Sequence, residues 1–181
     1  MVERHDTTIL GIPKVDPRLR PKWKRVLAWW SGGVFIATKP GAATWRTIAA
    51  PIEAPMLRAT NGRAKLTGIP LVVLTSTGAR SGKPRDVPLS YLTDGDDVIL
   101  VASNFGGARH PSWYHNLKAN PRCDLHLGSR GGTFTASEVL GSERDRLYAL
   151  AEALYAGYGK YARRTQGIRT IAVFRLTPTG A

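Results

Sequence analysis

The chain has 181 residues and is 43% hydrophobic, enough for one ordinary domain with a real core and too apolar for an intrinsically disordered chain. Lys and Arg number 26 against 13 Asp and Glu, a formal net charge of +13, which favours anionic partners: a phosphorylated or polycarboxylate cofactor, nucleic acid, or an anionic membrane face. The one cysteine, Cys123, excludes an intrachain disulfide, and His5, His110, His115 and His126 follow no HExxH or CxxC pattern that would suggest zinc.

Residues 1–21 are polar and punctuated by Pro13, Pro17 and Pro21, the pattern of an arm with little structure of its own. Lys22-Trp23-Lys24-Arg25 then meets the apolar run 26–37. This run is shorter than the ~20 residues of a spanning helix. It begins too late, and lacks the small-residue cleavage site, for an ordinary signal peptide. Cations beside Trp23, Trp29 and Trp30 suit a membrane interface, so peripheral membrane contact through residues 22–40 is one expectation. A helix whose tryptophans pack on the domain or on a second subunit is the other. Residues 44–60 are a second helical candidate, interrupted by Pro51 and Pro55. Turn residues at 61–65 put a boundary near residue 60, with an arm and helical segment at 1–60 and the main domain at 61–181.

Residues 71–77 (LVVLTST) are apolar and β-branched, as a buried strand should be. Gly78-Ala79-Arg80-Ser81-Gly82-Lys83-Pro84-Arg85 follows as a glycine-rich basic turn, and 87–92 is a second strand. Asp94-Gly95-Asp96 is a tight turn into a third strand at 97–103. Three strands with short connections imply an antiparallel meander and argue against a βαβ nucleotide fold, since no crossover helix separates them. A second glycine-rich loop at 104–109 precedes a short helix opened by Pro111 and stopped at Asn120-Pro121. Strands are expected at 123–127 and 133–140. One long helix is expected from about 143 to 164, capped by Ser142 with Asp145 three residues on, then a last strand at 168–176. The simplest closure is a mainly β, antiparallel barrel with helices on its flank.

Three constellations could carry chemistry. The basic loop can aim backbone N–H groups and cations at one anion. It is not a Walker A motif, because the spacing from Gly78 to Gly82 is one residue short and Pro84 stands where Ser or Thr should follow the lysine. A hairpin turn with solvated charges is the plainer reading. Second, Ser103-Asn104 with His110-Pro111-Ser112-Trp113-Tyr114-His115-Asn116 brings a strand end, a loop and a helix start together, common walls of a ligand pocket. Trp113 and Asn116 share a helix face and could bracket a planar ring, or serve as a core tryptophan and a structural amide. Third, Tyr155, Tyr158 and Tyr161 span about 120° of one helix face. They read as proton donors over a pocket or as a packing stripe; Gly157 and Gly159 weaken the helix and lean toward a lid. No catalytic triad or carboxylate pair stands out, so any hard step falls to a cofactor.

With these pieces in order, the chain resembles the deazaflavin-dependent nitroreductase family, the flavin/deazaflavin oxidoreductases of type A. The resemblance spans roughly residues 55–178. It rests on Leu74-Thr75-Ser76-Thr77-Gly78-Ala79-Arg80-Ser81-Gly82-Lys83-Pro84-Arg85, on Val87-Pro88-Leu89, on Ala102-Ser103 with Gly106-Gly107, on the segment 111–121 and on the tyrosine triplet. It implies a split β-barrel that binds coenzyme F420, with FMN the lesser expectation. Arg80, Ser81 and Arg85 would grip the phosphate and oligoglutamate tail. A basic residue usual at Ala79 is missing, so Lys83 would share the tail. Val87, Pro88, Leu89, Ser90, Ala102, Ser103, Asn104, Trp113, Tyr114, His115 and Asn116 would line the deazaflavin. Tyr155, Tyr158 and Tyr161 would close over the substrate, Tyr158 nearest the ring. The implied mechanism is hydride transfer from C5 of the reduced deazaflavin to an electrophilic carbon, with a tyrosine or water supplying the proton. Ser90 stands where the nitroreductase has a tyrosine, a departure that counts against nitroimidazole activation.

The expected function is an F420-dependent reductase of lipophilic quinones or activated alkenes. A fatty-acid or lipid reductase is the alternative within the family, and a non-catalytic cofactor or lipid carrier the alternative outside it. The cations lie among glycine loops rather than along one helix, which argues against a nucleic-acid module. The expected location is the cytoplasm, with the inner face of the cell membrane as a peripheral site.

Overall fold

The run 71–77 becomes strand β3 (Leu71–Thr77) of a barrel, preceded by a short hairpin of β1 (Thr8–Ile9) and β2 (Ile12–Pro13). The structure is a computed structural model that describes residues 7–19 and 69–179, together with Ile52, Pro55, Met56, Ala59 and Thr60. The expected membrane-facing run 22–40 and most of the expected helix at 44–60 lie outside the described residues; Thr60 N–H donates to Met56 O at 3.0 Å, the i to i−4 bond of a helix.

The barrel continues with β4 (Pro84–Asp94), β5 (Asp97–Val101), β6 (Arg122–Leu127), β7 (Arg130–Val139) and β8 (Val173–Pro178). It closes in the order β3-β4-β5-β8-β7-β6, with every pair antiparallel. The meander expected from the sequence is present: Thr77 pairs with Pro84 across the basic turn, and Asp94 with Asp97 across the Asp-Gly turn. The last strand is shorter than expected, starting at Val173.

Three helices flank the barrel: α1 (Ser112–Ala119), α2 (Gly141–Leu154) and α3 (Gly157–Thr165). The single helix expected over 143–164 is thus two. Tyr155 takes extended angles (φ −146°, ψ 110°) and breaks it. A Cβ at Gly157 would strike the Tyr155 ring, so glycine is required where the chain doubles back. The expected Ser142 cap does not form either: α2 begins at Gly141 after Leu140, without a side-chain cap, and Asp145 pairs with Arg144.

Strand β5 reads Asp-Val-Ile-Leu-Val because both of its faces are covered. Val98 and Leu100 point into the barrel with Val72, Leu74, Leu125, Phe134 and Phe174, where Trp113 and Leu117 of α1 join them. Ile99 and Val101 point outward onto Leu147, Ala151 and Leu154 of α2 and the three tyrosines. The N-terminal arm departs from expectation. Ile9 and Ile12 are buried in the barrel core, Val15 N–H donates to Thr93 Oγ1 at 2.9 Å, and Thr93 N–H donates to Val15 O at 2.9 Å. Two isolated isoleucines give no periodicity from which burial could be read.

Outside, Arg175 of β8 joins β4, β5 and α2 through Asp94 (2.9 Å), Asp97 (2.7 Å) and Glu143 (2.7 Å), while Arg146 bonds Asp94 and Glu143 as well. Bonds from Arg146 and then Arg175, working against burial, hold the Asp94 carboxyl below its usual range. A depressed folded value gives stability that is full above about pH 4 and is lost as pH falls through it. Arg175→Met should therefore lower stability at pH 7 by about 1–2 kcal/mol in urea titrations, and the difference from wild type should shrink below pH 4.

Candidate active site

The turn between β3 and β4 is shaped by its own backbone. Gly78 N–H donates to Lys83 O at 2.9 Å and Gly82 N–H to Gly78 O at 2.8 Å, with Gly82 at φ +64°, where glycine carries no steric penalty. Asn116 of α1 anchors its base: the amide oxygen accepts from Ala79 N–H at 3.0 Å, and the amide nitrogen donates to Ser76 Oγ at 3.1 Å. Arg80, Lys83 and Arg85 are exposed, and among the described residues none of the three meets a carboxylate. The other cations around the barrel mostly have partners, such as Lys14 with Asp96 and Lys118 with Glu138. Unpaired cations clustered on a braced loop are poised for an anion from outside.

This loop forms one wall of a cavity of about 1100 Å³. The cavity gathers Ala79, Arg80, Ser81, Arg85, Val87, Pro88, Leu89, Ser90, Ser103, Asn104, Trp113, His115, Asn116, Tyr155, Tyr158 and Tyr161 from the expected set. Three expected residues do not line it. Ala102 is fully buried, its N–H bonded to Ala172 O at 2.8 Å. The Tyr114 ring packs against Phe174 at 5.7 Å and stacks on His110 at 4.1 Å. Lys83 sits exposed at the tip of the turn, outside the lining. The amide of Asn116 is spent on the basic loop, so its part in bracketing a ring is positional, while Trp113 is buried edge-on to Phe174 at 5.8 Å.

The cavity also contains residues to which the sequence gave no site role: Ile69, Leu71, Ser76, Asp86, Val101 and Phe105. Asn104 (φ +47°) and Phe105 (φ +55°) lie in the left-handed region, uncommon for any non-glycine residue and a strained setting for a bulky one. Gly106 lets this loop lie on α3, since a Cβ there would press on the Tyr161 backbone at 3.1 Å. The loop is held from behind by Arg169, which donates to the carbonyls of Gly107 (3.0 Å), Ala102 (3.2 Å) and Ser103 (2.7 Å). A lone arginine in an ordinary loop offers no sequence signal for such a role.

The opposite wall is the tyrosine cluster. Its three rings meet edge to face or tilted, with centroids 5.8, 6.0 and 6.2 Å apart. All three are nearly buried, and the rings pack on one another and on the outer sheet face while also lining the cavity. Tyr158 OH and Ser90 Oγ are 2.6 Å apart, and Tyr155 OH and Tyr161 OH 3.4 Å apart. Burial raises all three phenols, and Tyr158 is pushed up to about 12, the Ser90 bond opposing the rise. Tyr158 is a neutral phenol at physiological pH, as an unshifted tyrosine also is. Because its folded value lies above the ordinary 10.0, the folded state keeps a proton that the unfolded chain gives up. Stability should fall as pH rises from about 10 to about 12, by roughly 2–3 kcal/mol from this group. Urea titrations of Tyr158→Phe across that window should show a correspondingly shallower loss.

Comparison with known proteins comes to the same architecture. The model of a family described as F420H(2)-dependent quinone reductase matches residues 51–178. The chain is 40% identical over 126 residues to the F420H(2)-dependent quinone reductase Rv1261c of Mycobacterium tuberculosis, covering 66% of this chain and 83% of that protein. A solved structure titled F420-H2 dependent reductase (FDR-A) is 41% identical, with a TM-score of 0.54, over 59% of this chain and 93% of that one. Another, described as a domain-swapped dimer, is 36% identical, with a TM-score of 0.56, over 70% and 93% of the two chains.

Proposed function

The chain belongs to the F420H(2)-dependent quinone reductase family, and from that premise we propose that its cavity holds F420 and a lipophilic quinone together. The observation that carries this reading is a single cavity joining an unpaired cationic loop to a cluster of buried, neutral phenols. The loop suits a phosphate and a polycarboxylate tail: Arg80 and Arg85 offer forked donors, Ser81 a hydroxyl, and Lys83 at the tip a further charge for whatever extends outward. Residues 87–90, Ser103, Asn104, Trp113, His115 and Asn116 would surround the ring. When bound, the reduced deazaflavin would supply a hydride from C5 to an electrophilic carbon.

The chain's own residues do the rest. The aromatic wall excludes water and receives an apolar acceptor. Tyr158, a neutral phenol oriented by Ser90, can donate to an acceptor oxygen. An electron-poor carbon conjugated to a carbonyl is also found in activated alkenes, which we propose as a second substrate class. Nitroimidazoles are a weaker candidate because Ser90 replaces the tyrosine of the nitroreductase.

Titration with oxidised F420, FMN and a short DNA, followed by fluorescence quenching, tests the cofactor. Oxidation of reduced F420 by a naphthoquinone tests the reaction. Preference for FMN or DNA would sink the reading, and tight F420 binding without turnover by any quinone or enone would turn it into a carrier.

Peripheral membrane contact through residues 22–40 belongs to the same proposal, since lipophilic quinones reside in membranes. Among the described residues no helix is long and apolar enough to cross a membrane. Trp29→Ser with Trp30→Ser should release the protein from anionic liposomes in a co-sedimentation assay; unchanged sedimentation ends the idea. Deleting residues 1–40 would confuse that test, because Ile9 and Ile12 belong to the barrel core. The proposed division at residue 60 likewise has residues 7–19 packed on the barrel.

A further inference from the structure

We propose that His110 is a fixed hydrogen-bond donor in the cavity wall, its tautomer set by Arg169, and that its Nε2–H serves an acceptor oxygen of a bound ring. His110 lines the cavity where the strained loop meets α1. Arg169 Nη1 lies 3.4 Å from His110 Nδ1. A guanidinium has only donors, so the nitrogen facing it must accept, and the ring proton must sit on Nε2. Among the described residues, the protein supplies no partner for Nε2.

The ring cannot readily turn to exchange its two edges. It stacks on Tyr114 at 4.1 Å with planes 18° apart, and His115 stands edge-on at 6.3 Å. Arg169 is itself immobilised by the carbonyls of Ala102, Ser103 and Gly107. The charged and titratable groups acting on His110 are Arg169 and His115 on the positive side and Glu138 on the negative. Burial first, then Arg169 and His115, hold the imidazole below its usual range, so it remains a neutral donor. The arrangement is a preorganised N–H backed by a cation, suited to a carbonyl oxygen that gains negative charge as a hydride arrives at its ring. His110 does not give up its proton. Arg169 is a positioning residue, acting through His110 and the loop.

The inference rests on the oxidoreductase reading but is tested apart from it. In the ligand-free full chain, histidine ¹⁵N spectra at neutral pH should show His110 protonated at Nε2 and bare at Nδ1. Arg169→Met removes the donor that faces Nδ1, and should lose the tautomer preference. An imidazolium or an Nδ1–H tautomer in the wild type would overturn the proposal. His110→Phe keeps a stacking ring without a donor; His110→Gln keeps an N–H. His110→Phe should weaken either F420 affinity or quinone kcat/KM by about tenfold or more, with His110→Gln recovering part of the loss. A change in the F420 dissociation constant assigns the oxygen to the cofactor. A change in kcat/KM at unchanged F420 affinity assigns it to the quinone. If His110→Phe retains wild-type quenching and turnover, the inference fails, whereas failure of the functional reading appears as no F420 quenching in the wild type itself.

Discussion

Replacing Arg80 and Arg85 together by alanine should lower the affinity for oxidised F420 by about a hundredfold or more. Each guanidinium would make charge-assisted bonds to an anionic group, worth roughly 1.5–3 kcal/mol apiece, and about 1.4 kcal/mol is tenfold in affinity. The fold should be untouched, since both side chains are exposed and neither is paired with a carboxylate among the described residues. The thermal midpoint of the double variant is the control, along with Lys118→Ala, which removes a cation already paired to Glu138 at 2.9 Å and should leave affinity unchanged. The remaining F420 affinity should depend less steeply on salt than that of the wild type. Equal affinity in wild type and double variant would show that the loop is a solvated turn.

Asn116→Ala should damage both the fold and the site. Asn116 is only 8% exposed and Ser76 2%. Truncation leaves the Ala79 N–H and the Ser76 hydroxyl without their partner, a loss of about 1–3 kcal/mol for each group left unsatisfied. The same change unhooks the base of the loop that carries Arg80, so F420 affinity should fall by roughly tenfold even where the protein remains folded. Hydrogen exchange offers the direct check: the Ala79 amide should exchange faster in the variant while the β3–β4 ladder stays protected. If stability falls with affinity unchanged, the amide braces the core and not the cofactor loop.

Much of the barrel was legible because strands announce themselves locally. The runs at 71–77, 87–92 and 97–103 are largely apolar and β-branched, though the third strand ends at Val101, and Asp94-Gly95-Asp96 can hardly be anything but a tight turn. Short connections then leave antiparallel pairing as the only economical topology. The breaks and docking events were not legible. The helix expected from 143 to 164 divides at Tyr155 because that ring lies over Gly157, a clash that exists only once the chain has turned. The arm at 7–19 docks through two isoleucines too few to make a period. Sixteen of the expected site residues do meet at one cavity, while Ala102, Tyr114 and Lys83 fall beside it.

What the sequence determined by itself is the chemistry on offer: an excess of cations, a basic glycine turn and three closely spaced tyrosines. These are properties of residue type and local spacing. Only the tertiary structure decided which groups remain available. It spent the Asn116 amide on the basic loop and the Arg169 guanidinium on three carbonyls, left Arg80 and Arg85 without a carboxylate among the described residues, and brought Ser90 within 2.6 Å of Tyr158 across 68 residues of chain. The physical reason is that a buried polar group must find a partner, and which partner lies within reach is set by how the barrel closes, not by any neighbour in the sequence.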